Sequence, residues 1–290
     1  MGAVGRLVER IDTWLFGLVW PLPLVVVVST MVVFALIALK KRSLDPSGAI
    51  AAATMGVVVL WTTQVEGLLL LLLFFVGANV VGKVSKRIQA KAFGEASIGI
   101  IEKKGSRRDL MQVLVNGLMA MVAGLIWYVC GSFPALVMFG ASISEAAADT
   151  FAGEIGRLSK NPPVSIRTFT PVPKGLSGGV TLLGTVAAFV SSIIIGLCWF
   201  VLFGVKEGLV AASVICLTGF VGSVVDSYLG ACVQARYRDP DTGMLTEQDS
   251  KDGRPFELVQ GVRWVDNDMV NLLSNVFSSV FAFGMASILF

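Results

Sequence analysis

The sequence predicts an all-α, polytopic membrane protein with about eight transmembrane helices. Three observations carry that prediction. Of its 290 residues, 55% are hydrophobic and only 15% are charged, with a mean hydropathy of +0.79. A soluble domain carries about 25% charged residues to cover its surface. The apolar residues collect in runs, most of them close to the roughly 20 residues that cross a hydrocarbon core. The charged residues collect between those runs, mostly on one side. The same composition excludes a disordered chain, collagen, a coiled coil and a small disulfide scaffold. A net charge of +3 gives no basis for nucleic-acid binding.

Residues 1–19 read as an amphipathic leading segment, and residues 20–290 as a single multi-span membrane domain. The leading segment lacks the basic start and small-residue cleavage site of a signal peptide. Pro21 and Pro23 separate it from the first apolar stretch, because neither ring tolerates a continuous helix. The stretches are 20–39, 48–63, 67–82, 112–130, 134–153, 178–204, 208–233 and 270–289, the second and third being short. If all eight cross, the loops 40–47, 83–111, 154–177 and 234–269 share one face. The opposite face receives only the turns 64–66, 131–133 and 205–207. Of the 23 Lys and Arg, 20 lie in the four charged loops, and the positive-inside rule makes that face cytoplasmic. The cluster KGSRR at 104–108 reads as a contact for lipid head groups or a determinant of orientation.

The chain has no histidine, which removes imidazole acid-base chemistry, His-dependent nucleophile systems and His-ligated metals. Cys130, Cys198, Cys216 and Cys232 sit in apolar segments without C-x-x-C spacing and read as small buried side chains. Chemistry must rest on carboxylates, amides, hydroxyls, Lys and Arg, usually with a hard cation.

A charged side chain at the centre of a spanning helix costs about 2.5–3.5 kcal/mol on insertion scales, so each intramembrane polar group asks for a reason. Asn79, Asn116, Glu145, Asp149, Asp226 and Asn271 all lie towards the basic side of their stretches. Asp149 and Asp226 stand at matching depth, about 12–15 Å along a helix from Arg157 and Arg236 respectively. Glu145 is one turn from Asp149 on the same helix face. Such carboxylates require a cation or a partner.

After Asp149 the chain becomes irregular, with Pro162, Pro163, Pro171 and Pro173 enclosing an extended loop. Lys174, Gly175, Ser177, Gly178 and Gly179 then lead into the next apolar stretch. A glycine-rich turn that opens a helix can present backbone N–H groups to phosphate, although G-x-x-x-x-G-K-[ST] is absent. Near the end, Asp266, Asn267, Asp268 and Asn271 cluster before the last stretch, a pattern that helix capping also produces.

Six segments make the chain resemble the integral-membrane family that includes the plastid phytyl-phosphate kinase of tocopherol synthesis. They are RSLDPSGA (42–49), QVLVNG (112–117), ADTFAGEIG (148–156), VPKGLSGGVTLLGT (172–185), VDSYLGACVQ (225–234) and DNDMVNLLSN (266–275). The order of acidic helix, loop with Thr168 and Lys/Gly-rich turn is more distantly similar to CTP-using polyprenol kinases and phosphatidate cytidylyltransferases. Within the phytyl-phosphate kinase family, Leu176 and Ser177 stand where Thr and Asn are common, and Gly153 where Ser is common.

The resemblance implies transfer of a phosphoryl group from a nucleoside triphosphate, CTP favoured, to a prenyl monophosphate, at a site on the cytoplasmic edge. It implies Mg2+ on Asp149 and Asp226, with Glu145 or Glu154 and Asp268 as further ligands or orienting groups. Lys174 and the N–H groups around Gly175, Ser177, Gly178 and Gly179 would hold nucleotide phosphates. Asn116, Thr168, Asn267 and Asn271 would orient phosphates or the cation's waters, and Arg157 or Arg167 would balance charge. A lipid-phosphate cytidylyltransferase and a transporter are the alternatives. A transporter's paired halves and two-sided polar pathway are not evident in the sequence.

Overall fold

A computed structural model describes residues 3–93, 107–251 and 253–290. Among these, the fold is all-α and polytopic, and each of the eight apolar stretches is helical. The helices are α1 (Ala3–Phe16), α2 (Leu22–Lys40), α3 (Pro46–Phe93), α4 (Leu110–Cys130), α5 (Phe133–Gly156), α6 (Leu182–Phe203), α7 (Gly208–Cys232) and α8 (Asn267–Leu289). Six of them, α2, α3, α4, α6, α7 and α8, are long and apolar enough to cross a membrane. The acid-bearing α5 is not among the six, and it is instead the helix the others surround.

The second and third apolar stretches are the two arms of α3. Its helical geometry breaks at Gln64, with φ 57° and ψ −160°. A Cβ placed on Gly56 would lie 4.0 Å from Leu68 Cδ1, although twelve residues of continuous helix would hold them about 18 Å apart. The arms 46–63 and 65–93 therefore fold back on each other as a hairpin. α1 packs at the closed end of that hairpin. Asp12 Oδ1 accepts from Val65 N at 3.1 Å, and Leu15 is buried with Val27, Leu60 and Leu68. Phe16, Trp20 and Trp61 meet edge-to-face at this end, with centroids 5.8 and 6.4 Å apart. Aromatic side chains of this kind favour a membrane–water boundary.

At the open end of the hairpin the loop at 41–45 meets the residues before α4. Asp45 N donates to Arg108 O at 3.1 Å and Arg108 N to Ser43 O at 3.2 Å, with Leu44 buried between them. Asp45 Oδ1 accepts from Ser47 Oγ and Gly48 N, both at 2.7 Å, and these bonds hold its carboxyl below the ordinary carboxylate value, the Gly48 N–H contributing most. This anchor is present above the ordinary carboxylate range and is lost as pH falls through the lowered value. Asp109 caps α4, accepting from Gln112 N at 2.9 Å in a reciprocal capping box.

α5 is buried continuously from Ala135 to Ala148. Small residues make this possible by letting helix backbones approach. A Cβ on Gly140 would lie 2.6 Å from Ile215 of α7 and 2.8 Å from Trp199 of α6. A Cβ on Gly219 of α7 would lie 2.6 Å from Ser144 Cβ. The surrounding core holds Phe139, Ile143, Trp199 and Ile215, all essentially inaccessible.

Short strands, which the sequence pattern does not predict, occupy the charged loops without altering the fold class. β1 (Val164–Ser165) pairs antiparallel with β2 (Gly179–Val180). β3 (Arg236–Arg238) lies between β4 (Leu245–Thr246) and β7 (Glu257–Gln260), while β5 (Ser250–Lys251) pairs with β6 (Arg254–Pro255). Ala235, Tyr237 and Phe256 form a small buried cluster under this unit. Residues 94–106 of the basic loop at 83–111, and with them 104–106 of the cluster read as a head-group contact, lie outside the described residues.

Candidate active site

Three of the four charged loops, 83–111, 154–177 and 234–269, line a cavity of about 660 Å3 at one end of the bundle. Asp149 of α5 and Asp226 of α7 reach it from separate helices, with their carboxyl groups close enough to interact directly. Gly222 and Ser223 keep α7 close to α5 at this level, since a Cβ on Gly222 would lie 2.5 Å from Glu145 Cγ and 2.8 Å from Ser278 Cβ.

The last helix completes the acidic floor. Ser274 Oγ lies 2.8 Å from Glu145 Oε1, 3.1 Å from Asp226 Oδ2 and 3.0 Å from its own helix's Asn271 O. With its amide nitrogen turned towards the acceptors, Asn271 donates to Asp226 Oδ2 at 3.0 Å and to Asn267 O at 3.1 Å. Asn275 Nδ2 donates to Glu145 Oε2 at 2.5 Å. One hydroxyl proton and two amides thus serve two of the three carboxyl groups, Glu145 and Asp226. Their remaining charge has to be met by protons or by a cation.

Around the rim stand Lys86, Arg108, Arg157, Lys174 and Arg263, with Glu154, Glu247, Asp266 and Asp268 between them. Lys174 Nζ donates to Ser159 O at 2.7 Å. Its turn is held from above and below. Ser177 N donates to Glu247 Oε1 at 2.9 Å, and Ser177 Oγ to Asn267 Oδ1 at 3.3 Å. Arg236, 6% exposed, donates from Nη2 to Ser177 O at 2.6 Å and Gly230 O at 3.1 Å. Gly178, at φ 77°, sits so near α7 that a Cβ would lie 2.5 Å from Ala231 N.

Most of the residues expected from sequence line this cavity: Asn116, Asp149, Glu154, Lys174, Gly175, Ser177, Gly178, Gly179, Asp226, Asn267, Asp268 and Asn271. Glu145 lies beneath it, 2% exposed and engaged by Ser274 and Asn275. Thr168 is exposed, 2.7 Å from Thr170 Oγ1, and is not among the lining residues. Neither is Arg167, whereas Arg157 is.

The glycine turn also differs from the expected helix opening. Two residues of β2 and the N-cap Thr181, whose Oγ1 accepts from Gly184 N at 3.0 Å, stand between it and α6. Gly179 N is used by Leu176 O at 3.1 Å. At α8, Asp266 caps the helix through Met269 N at 3.1 Å.

Sequence reasoning did not single out Arg108, Gln112, Gln234, Tyr237, Glu247, Arg263 or Trp264 as lining residues. Arg108 carries the one available signal, its place immediately before the N-cap Asp109. Its guanidinium lies 5.6 and 5.9 Å from the ring centroids of Phe74 and Phe75. Burial draws its pKa below the ordinary guanidinium value, and the Glu154 carboxylate opposes that shift.

The donor set suits a hard divalent cation. Mg2+ is usually held by one or two carboxylates with waters and substrate phosphates, rather than by an all-protein cage. Asp149 and Asp226 supply such a pair, and among the described residues no three acidic groups converge as a closed cage requires.

The family model "Integral membrane protein DUF92" matches residues 29–279. The chain belongs to this family. It is 34% identical to an uncharacterized membrane protein of Methanocaldococcus jannaschii over 207 residues, covering 70% of this chain and 80% of the relative. It is 29% identical over 281 residues to Protein PGR of Arabidopsis thaliana, covering 88% of this chain and 92% of that one. Protein VTE6, chloroplastic, of the same plant is 27% identical over 249 residues, which span 84% of this chain and 66% of that relative. No solved structure matches the chain. Membership of an integral membrane family agrees with the six long apolar helices and makes this a multi-pass membrane protein.

Proposed function

We propose that this DUF92 protein is a membrane kinase that transfers the terminal phosphoryl group of a nucleoside triphosphate, CTP favoured, to a prenyl monophosphate, giving the prenyl diphosphate. The observation that carries this reading is the Asp149–Asp226 pair, drawn from α5 and α7 into one cavity beneath a rim of Lys and Arg. Similarity to VTE6 and the resemblance of the six motifs to the phytyl-phosphate kinase family support it. We place the charged face in the cytoplasm on the positive-inside rule.

Phosphoryl transfer asks a protein mainly to position two polyanions and to neutralise the charge that develops between them. An oxygen of the prenyl phosphate attacks the γ-phosphorus, the bond from that phosphorus to the β–γ bridging oxygen breaks, and the nucleoside diphosphate leaves with the bond's electron pair. The acceptor oxygen is already anionic, so no general base is required. Mg2+, when bound, supplies a positive centre for the nucleotide's phosphate oxygens. Asp149 and Asp226 would hold it, Asn271 and Ser274 engage the Asp226 carboxylate, and Asp268 and Glu154 stand within the same cavity. Lys174 and the turn at 175–179 face the nucleotide, while Arg157 is placed to offset charge on the transferring group. A prenyl phosphate keeps its tail in hydrocarbon and its head at the boundary, where this cavity opens.

The test uses purified protein, Mg2+ and prenyl monophosphates with CTP labelled at either the α or the γ position. The expected product is a prenyl diphosphate carrying the γ label alone. Entry of the α label would identify a cytidylyltransferase instead. No labelled lipid, together with solute movement in proteoliposomes, would identify a transporter. Gly178→Ala is expected to raise the nucleotide KM severalfold in the same assay, because a methyl group there meets the backbone of α7 at Ala231. An unchanged KM would remove the turn from the nucleotide site.

A further inference from the structure

A second, narrow cavity, of about 50 Å3 with its side chains as they stand, lies between α2, the α3 hairpin and α4, and it differs in character from the first. Met31, Phe34, Met55, Leu68, Leu72 and Phe75 make its walls, and polar surface is confined to one end. At that end stand Arg108, Gln112 and Asn116, all of which also line the acidic cavity. Gln112 and Asn116 are one turn apart on α4, so this helix face is the partition between a polar chamber and an apolar slot.

We propose that this slot receives the head-proximal part of the lipid substrate's hydrocarbon chain, with Arg108 at its mouth on the lipid phosphate. The assignment rests on the kinase reading for its substrate class. The shared lining and the charge specify the occupant: a molecule with its chain in the slot and its head in the chamber is apolar along its length and anionic at the end that meets Arg108. The guanidinium is pre-positioned for that role. Its backbone is locked to Ser43 and Asp45, and its guanidinium carbon lies 5.6 and 5.9 Å from the ring centroids of Phe74 and Phe75, at the boundary the two cavities share.

The slot's walls are adaptable where a chain has to enter. Gly56 and Gly117 leave space that the side chains of Met31 and Met55 fill, since a Cβ on Gly56 would lie 3.3 Å from Met31 Cγ and one on Gly117 would lie 3.7 Å from Met55 Cγ. An unbranched thioether swings between rotamers at little cost and makes favourable contacts with an alkenyl chain. From Phe75 to Leu68 the slot follows about 10 Å of helix, so the remainder of a long chain extends into the bilayer.

The experiment is photolabelling of the full-length protein in detergent with a benzophenone-tagged farnesyl monophosphate, followed by peptide mapping. Phosphorylation of unmodified prenyl monophosphates is measured on the same preparation. The expected labels fall on Met31, Met55 or their neighbours in α2 and α3, and are lost on competition with geranylgeranyl monophosphate. Met55→Trp is expected to raise the KM for geranylgeranyl monophosphate about tenfold while leaving the nucleotide KM unchanged. Labels confined to α6, α7 or α8, or absent altogether, would overturn the slot while turnover left the kinase reading standing. Labels in the slot without any turnover would retain a lipid-phosphate site and remove the kinase reading. Should Met55→Trp fail to fold, the labelling pattern of the unaltered protein still decides the matter.

Discussion

Asp149→Asn and Asp226→Asn are each expected to lower phosphoryl transfer by on the order of 10^2–10^3-fold in protein that remains monodisperse and melts no lower than the parent. Both halves of that outcome follow from the same geometry. The two carboxyl groups meet in a buried floor that Glu145 also borders, and Ser274, Asn271 and Asn275 supply too few protons to match them. An amide keeps the size of the side chain and removes one charge from a crowded acidic floor, so folding is expected to gain slightly or stay level. The same change removes one of the two anionic oxygens that suit a divalent cation, so charge in the transition state goes uncompensated. The measurement is kcat with γ-labelled nucleotide across a Mg2+ titration, beside a thermal melt. Near-parental kcat in both variants would dispose of the metal assignment. A loss of folding in both would mean that the pair serves packing.

The carboxylate pair is legible in the sequence because a bilayer makes charge conspicuous. Asp226 lies among Gly222, Ser223, Ser227 and Gly230, and Asp149 follows three alanines, so neither has a local partner. The eight apolar stretches are legible for the same reason, down to the short second and third, whose brevity fits the reversal at Gln64. What surrounds the pair is less visible. The strands β3 to β7 span two to four residues each, too few to show an alternating pattern. Arg108 belongs to a run of basic residues and is set apart only by contact with Ser43, Asp45, Phe74 and Phe75, four positions distant in sequence. Helix spacing puts Glu145 on one face with Asp149, and the structure adds what spacing does not show: residues of α8, about 130 positions away, engage both of its oxygens.

Those contacts make Asn275→Leu the substitution with the largest expected effect on stability. Asn275 is fully buried, and all its polar capacity is directed across the α5–α8 interface. Its Nδ2 donates to Ser142 O at 2.9 Å and to Glu145 Oε2, and its Oδ1 accepts from Ser142 Oγ at 2.8 Å. Leucine has a similar volume, so packing changes little, but three polar atoms lose their partners in a water-free core. Hydrogen bonds to charged groups contribute about 1.5–3 kcal/mol, and an orphaned buried acceptor costs as much again. A loss of about 3 kcal/mol, or a fall of roughly 10 °C in Tm, is expected for a chain of this size.

Glu145→Gln separates the two roles open to the acid. If Glu145 only ties α5 to α8, its amide still accepts from Asn275 or Ser274, Tm shifts by a few degrees and kcat stays within about tenfold of the parent. If it ligates the cation, kcat falls with that of the aspartate variants while Tm holds. The first outcome is expected, because Ser274 and Asn275 hold Glu145 from the α8 side, and Ser274 reaches on to Asp226. The helix that buries Glu145 is thereby the one that orients the carboxylate beside it.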